Sequence, residues 1–557
     1  MGTDCARYKE RGRHRAGHRR VGAADVSEPE DTASAGADGQ HPNLTAQTVS
    51  GLRWFYLSTV TIMVANLVYT ATISRLLEPA TFGLMAMANL VVLFAQFFAR
   101  MGLGSALVQK PELSEEEIRA SSTAGIVMGL ACLAVVWLLA PAIAVLFRAP
   151  TLPPVLRAMG VSFVFMGWSM TSLGLLRRQL RFRILSVISM GAYVFAYLVV
   201  GVGLALLGAG VWSLVAASLS STAVQAVWQY IVVRHPLRPV LRWEPYRAVC
   251  SYGVRLEGAY LMNYIGGNVD TFTVSRTAST AVLGQYTRAY ALIFQPLGNY
   301  LAQALTSVLF STLSRIQQDL ARLRSAYLSV LSLGNLMLFP VCAGIAVAAQ
   351  ELVQVVLGPQ WGLAVGLVPW FALAGGCNVA SQLTQLLADA RAELNRSLAV
   401  QTAYIIGLTV LILLAMPFRS HGVWVFAAAF AAAETFRYIG YQALARRVLS
   451  LPWRWVWRAH APAALASVCV ALAIAATRWA LSGHGPALVV LGAEVAAGGL
   501  ALALFIRFSP LPAVREELWM RLTAAGVLGE AAGARWRLAS LALGSPNPAT
   551  APERDRD

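Results

Sequence analysis

Residues 121–147 read SSTAGIVMGLACLAVVWLLAPAIAVLF, without a single Asp, Glu, Lys, Arg or His. A helix needs roughly 20 apolar residues to cross a hydrocarbon core of about 30 Å. A surface helix in water must keep one polar face, and this stretch has none. It is a transmembrane span, and it sets the scale for reading the rest. Apolar runs bounded by charge or by Pro/Gly clusters recur near 52–74, 83–107, 121–147, 154–176, 184–207, 211–232 and 248–273. They continue near 282–310, 326–349, 363–388, 397–416, 422–444, 460–479 and 486–507. An all-α integral membrane protein with about fourteen spans is expected. Composition agrees: of 557 residues, 57% are hydrophobic and 13% charged, with a mean hydropathy of +0.59. A soluble domain carries roughly 25% charge.

The net charge of +17 comes almost wholly from arginine, since lysine occurs only at Lys9 and Lys110. The arginines sit in tails and in loops between apolar runs, which points to anionic lipid headgroups and away from nucleic acid. One set of alternate loops holds Arg177, Arg178, Arg181 and Arg183, then Arg234, Arg238, Arg242 and Arg247, then Arg446, Arg447, Arg454 and Arg458. The other holds little beyond Arg75, Arg148, Arg157, Arg276, Arg419 and Arg478. Arginine is retained on the cytoplasmic side, so the first set and both termini are expected there. Residues 1–50 form a basic polar tail with no apolar signal-peptide core, and 508–557 form a second cytoplasmic tail. Leu175–Arg183 (LLRRQLRFR) and Leu451–Arg458 (LPWRWVWR) alternate cations with apolar or aromatic bodies, as a membrane interface favours.

The chain also contains a repeat. Thr70-Ala-Thr-Ile-Ser-Arg75 aligns with Thr271-Phe-Thr-Val-Ser-Arg276, and at the same offset Ala80 meets Ala281, Gly83 meets Gly284 and Ala88 meets Ala289. The offset holds six spans, an even number, so the halves are expected to be parallel repeats about an axis along the membrane normal. The domains are then 51–233 and 247–445, two six-helix lobes, with two appended helices in 459–507.

An ionisable group inside a span is costly and usually faces a cavity or a partner. The densest cluster holds Arg255, Glu257, Asp270, Arg276 and Arg288, with Asn263, Asn268 and Gln295 among them. In the second span Asn89, Gln96 and Arg100 fall on one helical face. Glu434 and Arg437, three apart, can pair; Glu494 has no evident partner. The implied cavity holds more arginine than carboxylate, which suits a phosphate-bearing ligand. Asp270 and Glu257 are the candidates for cation coupling. The six cysteines are scattered without metal-ligand spacing, and no Walker A, H-E-x-x-H or G-x-S-x-G motif is present. No metal, cofactor or enzymatic activity is expected.

The blocks Ile73-Ser-Arg-Leu-Leu-Glu-Pro-Ala-Thr-Phe-Gly83, Gly102-Leu-Gly-Ser-Ala-Leu-Val-Gln109 and Leu175-Leu-Arg-Arg-Gln-Leu-Arg-Phe-Arg183 carry a resemblance. With them go Asn268-Val-Asp, Ser275-Arg276 and Leu283-Gly-Gln-Tyr-Thr-Arg-Ala-Tyr290. Across about residues 50–450 the chain resembles the polysaccharide exporters, or lipid-linked oligosaccharide flippases (Wzx-type), of the MATE-like MOP superfamily. The resemblance implies two six-helix lobes around a central cavity and two further helices in a bacterial cytoplasmic (inner) membrane. It further implies flipping of an undecaprenyl-pyrophosphate-linked repeat unit for exopolysaccharide, capsule or O-antigen synthesis, beside other polysaccharide-assembly proteins. Asp270, Arg276 and Arg288 match family positions. Multidrug efflux, a membrane polymerase or glycosyltransferase, and an assembly scaffold are the competing readings.

Overall fold

The computed structural model describes residues 44–100, 104, 107–108, 113–239, 261–262, 264–301, 319–391, 393–481 and 485–508. Arg255, Glu257, Asn263 and nearly all of both polar tails lie outside the described residues. The helices are α1 (Leu44–Leu76), α2 (Pro79–Arg100), α3 (Glu115–Phe147), α4 (Leu152–Arg178), α5 (Phe182–Leu206), α6 (Val211–Val233) and α7 (Val269–Thr277). Then follow α8 (Thr280–Phe294), α9 (Leu320–Val347), a short helix Ala349–Val356, α10 (Gly362–Ala390), α11 (Leu394–Ala415), α12 (Trp424–Leu449), α13 (Trp453–Leu481) and α14 (Ala487–Phe508). No strand occurs among the described residues.

Eleven of these helices are long and apolar enough to cross a membrane, and the chain is a multi-pass membrane protein. The others are α7, α8 and the helix Ala349–Val356, which are too short, and α12, which Glu434 and Arg437 make more polar. Leu138, Val145, Leu207 and Trp479 are each more than three-quarters exposed, a placement suited to lipid tails.

Local signals set the helix ends. α3 begins at a capping box: Ser114 Oγ accepts the Glu117 N–H at 3.2 Å, and Glu117 Oε2 accepts the Ser114 N–H at 3.1 Å. At the far end, the Arg148 backbone turns left-handed with its N–H on the Ala144 and Val145 carbonyls. Small residues set helix spacing: a Cβ on Gly125 of α3 would lie 2.2 Å from the Gly167 carbonyl oxygen of α4, and one on Gly167 would lie 2.0 Å from that of Gly125.

Packing groups α2 to α6 together and α8 to α12 together; α13 lies along α9, and α14 along α13. The groups meet where α2 crosses α8, and the contact is reciprocal. A Cβ on Gly83 would lie 1.8 Å from the Thr280 carbonyl oxygen, and one on Gly284 would lie 1.8 Å from that of Pro79. Gly83 maps to Gly284 and Pro79 to Thr280 by the same sequence offset, so the contact is its own image, as about a two-fold axis.

A buried ion pair braces the second group. Glu434 Oε2 lies 2.6 Å from Arg437 Nη2, and Glu434 Oε1 accepts the Tyr404 hydroxyl at 2.9 Å and Asn378 Nδ2 at 3.4 Å. Glu434 is 1% exposed. Removing one partner of such a pair costs about 3–5 kcal/mol, whereas neutral replacement of both is far milder. Arg437→Ala is therefore expected to lower the melting temperature of the detergent-solubilised protein markedly, and Glu434→Gln with Arg437→Met to recover much of that loss. Equal melting of the single and double variants would refute the argument.

Candidate functional site

The site is best built from Arg288, on α8. Its guanidinium lies 4.0 Å from the centre of the Phe82 ring of α2 and forms no hydrogen bond or ion pair with a described residue. The helices opposite supply phenols. Tyr69 comes from α1; Tyr193 and Tyr197 come from α5, where residues Val194–Gly201 widen into a π-helical turn. Such turns break the regular ladder and often occur at functional sites. Tyr193 and Tyr197 stack at 4.5 Å, Tyr69 meets Tyr197 edge-on at 5.0 Å, and Asn66 Nδ2 donates to the Tyr193 hydroxyl at 2.6 Å. Arg288, the three tyrosines, Asn66, Asn89 and Gln295 line one cavity of about 380 Å³. A guanidinium facing hydroxyls and amides, with no carboxylate to neutralise it, is suited to an anion with polar surroundings.

The cavity continues. Asn89 and Gln295 also line a neighbouring chamber of about 580 Å³, with Asn268, Thr287, Asn378 and Gln382. That chamber shares Leu90, Tyr264 and Asn268 with an apolar slot of about 560 Å³ between α2, α3 and α7, walled by Phe94, Val135, Leu139 and Phe272. Tyr264, just ahead of α7, ties that segment to α2, its hydroxyl donating to the Leu90 carbonyl at 2.8 Å. Polar and apolar compartments thus adjoin in order, each sharing lining residues with the next.

One end of this path is sealed. Gln360 and Trp361, just before α10, donate side-chain N–H groups to the Ser74 carbonyl at 2.5 and 2.9 Å, and Gln360 also reaches that of Leu77 at 3.0 Å. Arg75 Nη2 donates to the Val355 carbonyl at 2.5 Å. Trp361 is fully buried, edge-on to Phe82 at 5.3 Å. Gly358 makes the turn at φ +109, and a Cβ there would press on the Arg75 side chain at 3.3 Å. With the Gly83–Gly284 crossing, these contacts close the end where α1 and α7 finish.

The residues singled out in the sequence therefore part company. Arg288 and Asn89 share the first cavity. Gln96 and Arg100, joined at 2.9 Å, line a separate one of about 400 Å³ with Ser169, Arg177, Gln225 and Gln229. Asp270 lines none of these cavities; it is 1% exposed and accepts the Tyr286 hydroxyl at 2.7 Å. Arg276 stands in the last turn of α7, with its Nη1 buried and lacking a hydrogen-bond partner, and does not line the Arg288 cavity. The tyrosines of α1 and α5 were not legible as site residues, because a tyrosine in an apolar helix reads as packing. Their one signal was the four-residue spacing of Tyr193 and Tyr197, which puts both on one face.

A family profile described as polysaccharide biosynthesis protein matches residues 72–366. The chain belongs to that family. It is 28% identical over 361 residues to an uncharacterized membrane protein in the cps region of Klebsiella pneumoniae, covering 63% of this chain and 73% of the relative. It is 27% identical over 336 residues to the succinoglycan biosynthesis transport protein ExoT of Rhizobium meliloti, covering 60% of this chain and 68% of the relative. Among solved structures, the lipid II flippase MurJ in an inward closed conformation matches with a TM-score of 0.66 at 12% identity, over 82% of this chain and 98% of that one. That likeness shows the fold: an all-α membrane transporter architecture, as the sequence resemblance implied.

Proposed function

We propose that this family member flips an undecaprenyl-pyrophosphate-linked oligosaccharide across the bacterial cytoplasmic membrane for exopolysaccharide, capsule or O-antigen synthesis, without catalysing a reaction. The observation that carries the reading is Arg288, unneutralised in a tyrosine-lined cavity that adjoins an amide-rich chamber, which in turn adjoins an apolar slot. An amphiphile with an anionic head, a polar glycan and a hydrocarbon tail needs those three environments in that order. The name of ExoT, a transport protein of polysaccharide biosynthesis, and of MurJ, a lipid flippase, agree with it. Multidrug efflux fits less well, since cationic drugs favour carboxylates and Asp270 is turned away to Tyr286.

On this reading the lobes 51–233 and 247–445 rock about the Gly83–Gly284 crossing to give alternating access, and 459–507 is appended. Arginine bias puts the sealed end outside, both termini inside and the cavities open to the cytoplasmic leaflet. Outward movement of an anion works against an inside-negative potential, about 2.3 kcal/mol per charge per 100 mV, so cation coupling follows, with Asp270 as the carboxyl to test. Proteoliposomes holding the full chain and a pyrophosphate-linked glycolipid, probed with an impermeant reagent, should show glycan reaching the opposite leaflet faster than in protein-free vesicles. Unchanged exposure would sink the proposal.

A further inference from the structure

Glu494 lies two turns into α14, 0% exposed, and neither of its carboxylate oxygens has a hydrogen-bond partner. α14 packs on α13, which carries Arg478 in its last turn, and on the short helix Ala349–Val356, which carries Glu351. Arg478 is already committed. Its Nε lies 3.2 Å from Glu351 Oε1, its Nη1 donates to the Val347 carbonyl at 3.1 Å, and its Nη2 donates to Gln350 Oε1. Glu351 Oε2 is buried and unpartnered as well. The adjoining space between α9, α13 and α14 is apolar, lined by Val341, Ile345, Val495 and Leu502. Two buried carboxyl groups thus lie on helices that pack together, and Arg478, the guanidinium on the adjoining helix, is paired with Glu351 alone.

We infer that Glu351 and Glu494 form a proton-binding site, with Glu494 protonated and donating its hydroxyl hydrogen towards the free oxygen of Glu351. One proton then supplies the missing donor, removes the surplus negative charge and replaces repulsion with a hydrogen bond, as when two close carboxylates share a proton. The site is separate from the Arg288 cavity and does not depend on the transported molecule. It makes the hold of α13 and α14 on the second lobe depend on a proton, at the helix that leads directly into the Gly358–Trp361 seal.

Infrared spectra of the full-length protein in lipid at pH 7.5 test this. The wild type should show the carbonyl stretch of a protonated carboxyl that Glu494→Gln removes. Glu351→Gln should remove it too, because the freed Arg478 then pairs with an ionised Glu494. A spectrum indifferent to Glu494→Gln overturns the proposal. So does a band that survives Glu351→Gln, or one that sodium abolishes and choline at equal ionic strength does not, which would make this a metal-cation site. A second measurement needs no variant. Tryptic peptide 479–507 contains Glu494 as its sole carboxyl side chain. Dicyclohexylcarbodiimide, which attacks protonated carboxyls in apolar surroundings, should label it at pH 7.5 as fully as at pH 5; labelling confined to pH 5 means an ionised Glu494 and overturns the site.

Discussion

Gly83→Ala is expected to open the sealed end: cysteines introduced by Glu78→Cys and Ser279→Cys, one residue outside this crossing on each helix, should cross-link with Gly83 present and no longer do so in the variant. The added Cβ would sit 1.8 Å from the Thr280 carbonyl oxygen, well inside any tolerable contact, and the obstacle is backbone that no rotamer change moves. α2 and α8 must separate. Because the contact is its own image across the repeat, Gly284→Ala should act alike, through the Pro79 carbonyl. Flipping should fall by more than tenfold, since one of the two access states loses its closure. The cross-link separates this from misfolding: the variant remains monodisperse but shifted away from the sealed form. Unchanged cross-linking and transport in both variants would mean that the crossing is not a closure.

Arg288→Ala is expected to reduce flipping by about ten- to a hundredfold with no loss of folded protein. A hydrogen bond to a charged group contributes about 1.5–3 kcal/mol, and each 1.4 kcal/mol is a factor of ten. The guanidinium makes no ion pair with a described residue, so its removal strands no buried carboxylate. Arg288→Lys keeps the charge and loses the planar fork that grips two phosphate oxygens; it should fall between alanine and wild type. Asp270→Ala should also slow transport, but for another reason, because it leaves the buried Tyr286 hydroxyl without its acceptor and so lowers thermal stability as well. Leaflet-resolved transport and melting curves measured together distinguish the two. Wild-type transport by Arg288→Ala would remove this cavity as the anion site.

The architecture was largely legible in the chain. The uncharged run at 121–147 became α3, and the Ser-Arg match at 74–75 and 275–276 led to a crossing that obeys the same offset. The pairing of Glu434 with Arg437 followed from helical spacing alone, and Glu494 without a partner was visible as an anomaly before its neighbours were known. The site was less so. Gln96 and Arg100 share a helical face with Asn89, yet they open into a different cavity, because neighbouring helices divide that face along its length. Asp270 had the composition of a cavity residue, but α7 places it against Tyr286.

What the sequence determined by itself were properties of linear order: where the chain is apolar for the width of a bilayer, where arginine accumulates, and where the stretch at 70–88 is matched by that at 271–289. Only the tertiary structure decided which polar side chains meet. In water a helix advertises its buried face by hydrophobic periodicity. In lipid the outer face is as apolar as the core, so rotation and partner choice come from close packing and hydrogen bonds. The same uncharged stretch that fixes a span therefore leaves its facing unsaid, and Tyr69, Tyr197 and Arg288 become one site only when three helices are brought together.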